Sequence, residues 1–354
     1  MSKICIVGDT HFGMRSDNIH FHNLYAKFYN EVMFPFLREN GIEIIVQLGD
    51  LFDRRKFINF QSLFLSKKYF FNDVNKDFKL YTIIGNHDAT YKNTIDINSS
   101  SLLLNEYSNI TVYSEPVTRS FYGVDVDFIP WICKDNEDKI YDFIKNSKSK
   151  ICFGHFELSG FEMDRGNVCL EGMDRNILQK YDLVLSGHFH HKSSDGQIVY
   201  VGTPGEMTWA DYDDERGFHI LDLNDLSLEF YENPHKMFHK IIYDETQETL
   251  EKIQEKDFSK YKDKIVKVIV SNKTNPYMFD VFFDKLYQSS PLDVSIVEDF
   301  VDYSEISEED VIDEAEDTMT ILDKYIDSLE TNLDSMRIKN LMREIYNEAQ
   351  SLEV

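Results

Sequence analysis

The apolar residues follow two rhythms. Short unbroken runs occur at Ile4-Cys5-Ile6-Val7, Ile44-Ile45-Val46-Gln47-Leu48, Leu80-Tyr81-Thr82-Ile83-Ile84, Lys150-Ile151-Cys152-Phe153 and Leu183-Val184-Leu185. Runs of this length, rich in β-branched residues, predict buried strands. Between them the spacing becomes helical. Phe21, Leu24, Tyr25, Phe28, Val32 and Phe36 predict a helix over 18–40, with Pro35 kinking its last turn and Gly41 stopping it. A second helix is expected over 59–75, where Leu63, Phe64, Tyr69, Phe70 and Val74 are not confined to one stripe. Further helices are expected over 94–107, 134–145 and 174–180. Strands are expected over 110–113, 198–201, 218–223 and 228–231, with a hairpin turning at Tyr122-Gly123. Residues 156–176, with Glu157, Asp164 and Arg165, read as a long polar connection. Alternating strands and helices of this kind predict an α/β fold of two mixed sheets flanked by helices.

The strand ends carry chemistry. Five runs lead into Asp9-Thr10-His11, Gly49-Asp50-Leu51-Phe52-Asp53, Gly85-Asn86-His87-Asp88, Gly154-His155-Phe156 and Gly187-His188-Phe189-His190; Gly202-Thr203-Pro204-Gly205-Glu206 follows. Sites in open sheets gather at the carboxyl ends of strands, so these segments describe one convergent site. Mixed carboxylate, amide and imidazole donors suit manganese, iron or zinc. Alternate residues of an extended segment face the same way, so Asp9 can share an ion with His11, and His188 with His190. The donors are too many for one ion and about right for two. Two ions roughly 3.5–4 Å apart clamp a phosphoryl group during in-line attack by water. One carboxylate must then bridge them, and Asp50 is the natural choice. Taken singly, each motif is weak, because Gly-Asn-His-Asp alone can be a turn and a lone histidine is usually structural. Their joint order behind strands carries the reading.

The ordered set Asp-x-His, Gly-Asp-x-x-Asp, Gly-Asn-His-Asp, Gly-His and Gly-His-x-His resembles the calcineurin-like metallophosphoesterases over roughly residues 1–225. Gly8-Asp9-Thr10-His11-Phe12-Gly13, Gly49 to Asp53, Gly202 to Glu206 and Arg216-Gly217-Phe218 resemble the SbcD/Mre type of DNA-repair nuclease. Size, acidity and a coiled tail point within that type to recombination nuclease subunits of T-even-like bacteriophages. The resemblance implies a four-layer metallophosphoesterase sandwich with a small α+β capping domain and a C-terminal helical tail. It implies one ion on Asp9, His11, Asp50 and His190, a second on Asp50, Asn86, His155 and His188, and His87 acting on the transition state or leaving oxygen. Asp53 stands where some relatives carry a histidine; Asp53, Arg54 and Arg55 are then candidates for positioning substrate. The implied cofactors are two Mn2+, with Mg2+ as a possible substitute. The implied activity is 3′→5′ exonuclease action on duplex DNA ends, with endonuclease action, beside an SbcC-type coiled-coil ATPase. Relatives form a homodimer through helices after the second and third strands. Two rivals use the same motifs: a phosphoprotein phosphatase or cyclic nucleotide phosphodiesterase, and an inactive scaffold. The phosphatase pattern wants Gly after Asp53-Arg54, where this chain has Arg55, and the complete donor set opposes the scaffold.

Charge sharpens the partner question. The 354 residues carry 37 Lys+Arg against 63 Asp+Glu, a net of −26. Residues 296–354 hold 18 acids and 4 bases, or −14, leaving −12 for the rest. DNA affinity rests largely on phosphate neutralisation, so a partner is expected to supply basic surface. Cys5, Cys133, Cys152 and Cys169 have no disulfide or CxxC spacing, which fits a reducing cytoplasm, the host's if the chain is phage-encoded. The chain opens directly on a strand, so no signal peptide is expected. No apolar run reaches the membrane-spanning length of about 18 residues, so no membrane is expected.

The expected domains are 1–235 for the nuclease, 236–295 for the cap, 296–317 for an acidic linker and 318–354 for a helical partner-binding tail. In the cap, runs at 240–243 and 265–270 predict strands, and 246–255 and 277–287 predict helices. Residues 293–317 read as acidic connector. In the tail, Leu322, Ile326, Leu329, Leu333 and Met336 form one heptad-like seam; Ile338, Leu341, Ile345, Ala349 and Leu352 form another, out of phase.

Overall fold

The apolar runs become parallel strands because both faces of each are covered. The computed structural model describes residues 2–298, 326, 336–339 and 341–342. One six-stranded sheet holds β1 (Lys3–Val7), β2 (Ile44–Gln47), β3 (Lys79–Ile83), β4 (Ile110–Tyr113), β13 (Gly217–Asp222) and β14 (Leu228–Glu232), in the order β14-β13-β1-β2-β3-β4. The second holds β5 (Val117–Phe121), β6 (Val124–Ile129), β7 (Ile151–His155), β10 (Leu183–Gly187), β11 (Ser193–Ser194) and β12 (Ile198–Tyr200), in the order β11-β12-β10-β7-β6-β5. Each sheet mixes parallel and antiparallel pairs: β1 runs parallel to β2 but antiparallel to β13, and β6 parallel to β7 but antiparallel to β5.

Ile4, Ile6, Val46, Leu48 and Ile83 of the first sheet share a buried cluster with Val126, Phe128, Phe153 and Leu185 of the second. The far side of the second sheet is covered by the helix Glu137–Asn146 through Ile140 and Ile144. Aromatic side chains of the first helix cover the first sheet, with Phe28 and Phe36 against Phe218. The layers are therefore helix, sheet, sheet, helix, as expected.

Several boundaries move. The first two helices each contain a π-helical turn, at Phe28–Met33 and Lys67–Phe71, and end at Glu39 and Asp77. Pro35 sits inside the helix, directly after the π-helical turn Phe28–Met33, in the closing segment Phe34–Glu39. The helix expected over 94–107 shrinks to Ser99–Leu104. Asn98 caps it by accepting from Ser101 N at 2.8 Å, and the preceding residues fold back, with Thr90 N donating to Ile97 O at 3.0 Å. The polar connection contains a hairpin, β8 (Glu162–Asp164) and β9 (Asn167–Val168).

His219, on β13, is 3% exposed, and its ring lies 5.0 Å from that of Phe230. Burial, helped by the Lys192 charge, pushes its pKa down to about 3. Such a histidine is neutral when folded, whereas the unfolded chain binds its proton below about pH 6.5. Between those values each pH unit of acidification therefore costs roughly 1.4 kcal/mol of stability. His219→Leu should flatten the fall of urea-unfolding stability between pH 6.5 and 4. Identical slopes in variant and parent would exonerate the residue.

The described chain divides into two compact units. The first is Met1–Met207 with Asp213–His235; the second is Thr208–Tyr212 with the chain from Lys236 onward. In the second unit, parallel strands β15 (Phe238–Asp244), β16 (Ile265–Asn272) and β17 (Asp293–Glu298) carry the helices Leu250–Glu255 and Pro276–Gln288 over a core of Tyr243, Ile253, Val268, Phe279 and Leu286. Trp209 packs there at a tilt against Phe238, ring centres 4.9 Å apart, with Lys267 Nζ 4.4 Å from the Trp209 ring centre. The acidic connector expected from residue 293 is corrected. Val294 joins the core, so 293–298 are strand, including the first three residues assigned to the linker. The rest of that linker and most of the two seams lie outside the described residues. Of the seams, Ile326, Met336, Ile338 and Leu341 are described; all are helical, Ile326 is buried, and Met336 and Leu341 are exposed.

Candidate metal centre

Backbone hydrogen bonds lock the strand-end loops to one another. Thr10 N and His11 N both donate to Asp50 O, at 3.1 and 3.0 Å, and Phe12 N donates to Leu51 O at 2.8 Å. Gln47, fully buried, spans three strand ends: its amide donates to Gly8 O at 3.2 Å, while its oxygen accepts from Gly49 N at 3.1 Å and Thr82 Oγ1 at 2.6 Å. Asp88 ties the third loop to the second, accepting from Leu51 N at 3.1 Å and Phe52 N at 3.3 Å with one oxygen and from Gly85 N at 2.9 Å with the other. Gly85 must be glycine, since a Cβ there would stand 2.2 Å from Asp50 Oδ1.

Three of the convergent residues, His11 (φ 41°), Asp50 (φ 52°) and His188 (φ 89°), hold left-handed backbone. Strain of this kind, of order 1–3 kcal/mol per residue, persists where surroundings over-determine it and clusters at functional sites.

Two donor sets result. In the first, His11 Nε2 lies 3.1 Å from His190 Nε2 and 3.7 Å from Asp50 Oδ2, and His190 Nε2 lies 3.9 Å from Asp9 Oδ2. In the second, one end of the Asn86 amide lies 2.9 Å from both His155 Nε2 and His188 Nδ1 and 3.3 Å from Asp50 Oδ2. Because His155 Nδ1 donates to Leu48 O at 2.7 Å, neutral His155 presents a bare lone pair at Nε2. With the amide oxygen turned inward, lone pairs of Asn86, His155 and Asp50 face one another, an arrangement that a cation between them satisfies. The donors thus fit divalent metal: Asp9, His11 and His190 form one group able to hold an ion, Asp50, His155 and His188 another, and His11, Asp53 and His87 a third.

Electrostatics agree with a site built for added positive charge. Burial pushes the Asp9 carboxyl up to about 7, against the opposing pull of His155. Burial alone would raise Asp50 too, but His155 and His87 hold it well below the usual carboxylate range. Against burial, the Asp53 carboxylate beside Nδ1 and the Asp50 charge raise His11 to about 9, and Asp50 and Asp9 raise His155 to about 9. Burial and the charge of His155 push His188 down to about 3; burial and His11 push His190 well below its ordinary value. Metal ligation requires these protons to leave, so metal affinity here falls as pH falls.

His87 stands at the rim. Its N–H donates to Asp50 Oδ1 at 2.7 Å and its Nδ1 to Asp53 O at 2.7 Å, leaving Nε2 available. The side chain of Asp53 sits 3.3 Å from His11 Nδ1. The two arginines part company. Arg54 donates to Asp17 at 2.8 Å and covers Phe57, whereas Arg55 Nη2 approaches the outer end of the Asn86 amide at 3.2 Å. Trp131, unassigned from sequence, lies 5.1 Å from the His188 ring and 5.9 Å from that of His155. Gln47 and Asp88 were likewise missed; the signal for Gln47 was an amide inside an apolar run.

The calcineurin-like phosphoesterase family matches residues 2–192. Exonuclease subunit 1 of Enterobacteria phage T4 is 32% identical over 336 residues, 95% of each chain. The chain belongs to the calcineurin-like phosphoesterases. Membership makes it a metal-dependent phosphoesterase, in keeping with the donor sets. Among solved structures, GAP50, the anchor in the inner membrane complex of Plasmodium, aligns with 66% of this chain and 84% of its own at 14% identity and a TM-score of 0.41. Glutamine-dependent NAD+ synthetase from Acinetobacter baumannii aligns with 98% and 73% at 8% identity and a TM-score of 0.26. Neither overlap is close enough to inform the fold. Among the described residues no helix is long and apolar enough to cross a membrane.

Proposed function

We propose that this phosphoesterase is the nuclease subunit of a DNA recombination and repair complex, hydrolysing phosphodiester bonds at duplex ends 3′→5′, with endonuclease action, on two manganese ions. The observation that carries the reading is the pair of donor sets meeting at Asp50; the phage exonuclease subunit supports the choice of substrate. Asp9, His11, Asp50 and His190 would hold one ion, and Asp50, Asn86, His155 and His188 the other. Bound there, the ions supply Lewis acidity toward phosphoryl oxygens and water. The buried carboxylates and neutral imidazoles orient that centre and exclude bulk water. His87, its ring fixed through Nδ1, exchanges a proton with the leaving oxygen at Nε2. Arg55, whose Nη2 reaches the Asn86 amide, would meet the scissile phosphate, while Arg54 is held by Asp17; Asp53 would orient His11 and His87. The deciding assay is end-labelled duplex DNA with manganese, with and without an SbcC-type ATPase; no cleavage under either condition refutes the reading.

Self-association fits the surface. Phe60 and Phe64 of the helix Phe60–Ser66 and Leu102 of the helix Ser99–Leu104 are exposed, and Lys67 pairs with Glu106 alongside them. We assign this face to a homodimer. The ATPase would bind residues 318–354, whose two apolar seams need a complementary groove or helix, and tethering would bring basic DNA-binding surface to an acidic enzyme. Deleting 318–354 should abolish copurification with the ATPase and ATP-stimulated degradation, while hydrolysis of a small phosphodiester survives. Copurification at full-length affinity would remove the tail from the interface.

A further inference from the structure

The segment Gly202 to Glu206 and the pair Arg216-Gly217 carry no donor to either ion set, yet they converge behind one donor. The carbonyl oxygen of His190 accepts from Thr203 N at 3.2 Å and from Arg216 Nη1. Gly202, at φ 70°, completes the cradle: a Cβ there would stand 2.9 Å from the same oxygen. The Arg216 guanidinium is 2% exposed; it also donates from Nη1 to Thr203 Oγ1 at 2.8 Å and from Nη2 to Asp214 Oδ2 at 2.6 Å. Asp214 Oδ2 in turn meets His191 Nδ1 at 2.8 Å, and His191 Nε2 lies 3.3 Å from Glu162 Oε2 on β8. A buried charged fork is an expensive way to hold one carbonyl. Its use follows from His188, whose φ of 89° opens the turn that brings both His188 and His190 inward. A turn so strained keeps its shape only if neighbours dictate it.

We propose that Arg216 is a positioning residue for the metal centre: it fixes the main chain at His190, and thereby aims that imidazole into the first donor set. The proposal rests on the two-ion reading. It predicts a selective defect, because Arg216 holds the carbonyl of His190 itself, whereas the second set takes only His188 from this turn and draws Asp50, Asn86 and His155 from other loops. Removing a partner that orients a metal ligand typically weakens the metal 10–100-fold.

Arg216→Lys preserves the charge facing Asp214, but one ammonium cannot replace the fork that spans Asp214, Thr203 and the His190 carbonyl. Full-length protein would be titrated with Mn2+ by calorimetry, with thermal unfolding of the ion-free protein measured in parallel. The expected result is roughly 10–100-fold weaker binding of one ion of two, the other held with parental affinity, and kcat recovered by excess Mn2+ with KM for a small phosphodiester unchanged. Two ions bound with parental affinity would overturn the proposal. So would equal weakening of both together with a lowered midpoint, which is the mark of a general packing role. If Arg216→Lys does not fold, Gly202→Ala decides, since it presses on the same carbonyl with Arg216 intact: selective loss of one ion supports the proposal, and two parental ions refute it. Parent protein that binds fewer than two ions would refute the two-ion reading instead, a distinguishable outcome.

Discussion

Asp50→Asn is expected to abolish metal-dependent phosphodiester hydrolysis while leaving the fold intact. Asp50 is 1% exposed and sits between the donor sets, with Oδ2 3.7 Å from His11 Nε2 and 3.4 Å from His155 Nε2. Asparagine has nearly the same volume and can still accept the His87 N–H through the position of Oδ1, so the loop should close as before. What disappears is the negative charge common to both sets. Two divalent cations held close together repel strongly, and a shared carboxylate is what makes the pair tolerable. A loss of about 10³-fold or more in kcat is expected, which corresponds to roughly 4 kcal/mol of transition-state stabilisation. Turnover of a small chromogenic phosphodiester, with circular dichroism as the fold control, provides the check. Full activity in a well-folded variant would sink the shared-carboxylate assignment.

His87→Ser should separate chemistry from metal binding. The imidazole sits beside the first donor set, its ring centre 4.8 Å from that of His11, but Nδ1 is committed to the Asp53 carbonyl. Only Nε2 is free to handle a proton, and burial keeps the ring below its ordinary pKa. Positioned proton transfer contributes about 10²–10⁴-fold, so kcat should fall within that range. Elemental analysis of manganese-loaded protein should return the same ion count for variant and parent. Loss of one ion in step with activity would move His87 into the ligand set.

The strand-end residues were legible because each follows a run that can only be buried strand, and the topology places such ends together. Less legible was everything that depends on distant pairing. Gln47 reads as a blemish in an apolar run until the ends of β1, β2 and β3 are adjacent. Asp88 reads as the last letter of a turn until Leu51 and Phe52 present their N–H groups to it. Arg54 and Arg55 are equivalent in sequence; Asp17, 37 residues away from Arg54, separates their roles. The helix expected at 94–107 failed at its start, where the Asn98 cap and the Thr90–Ile97 bond outweighed apolar spacing. β17 was missed because Asp293 and Glu298 gave Val294, Ile296 and Val297 the look of a charged connector.

The donor sets have a mechanical consequence. Each draws from both sheets: Asp9, His11 and Asp50 follow β1 and β2, and His190 follows β10; Asn86 follows β3, and His155 and His188 close β7 and follow β10. A cation in either set is therefore a rivet through the two halves of the sandwich, fastened at the edge where the strand-end loops of both sheets meet. By mass action a ligand at a hundredfold excess over its dissociation constant stabilises the folded form by about 2.7 kcal/mol. Heat resistance of the sandwich becomes a gauge of its metal content, and chelation should start its opening from the catalytic edge.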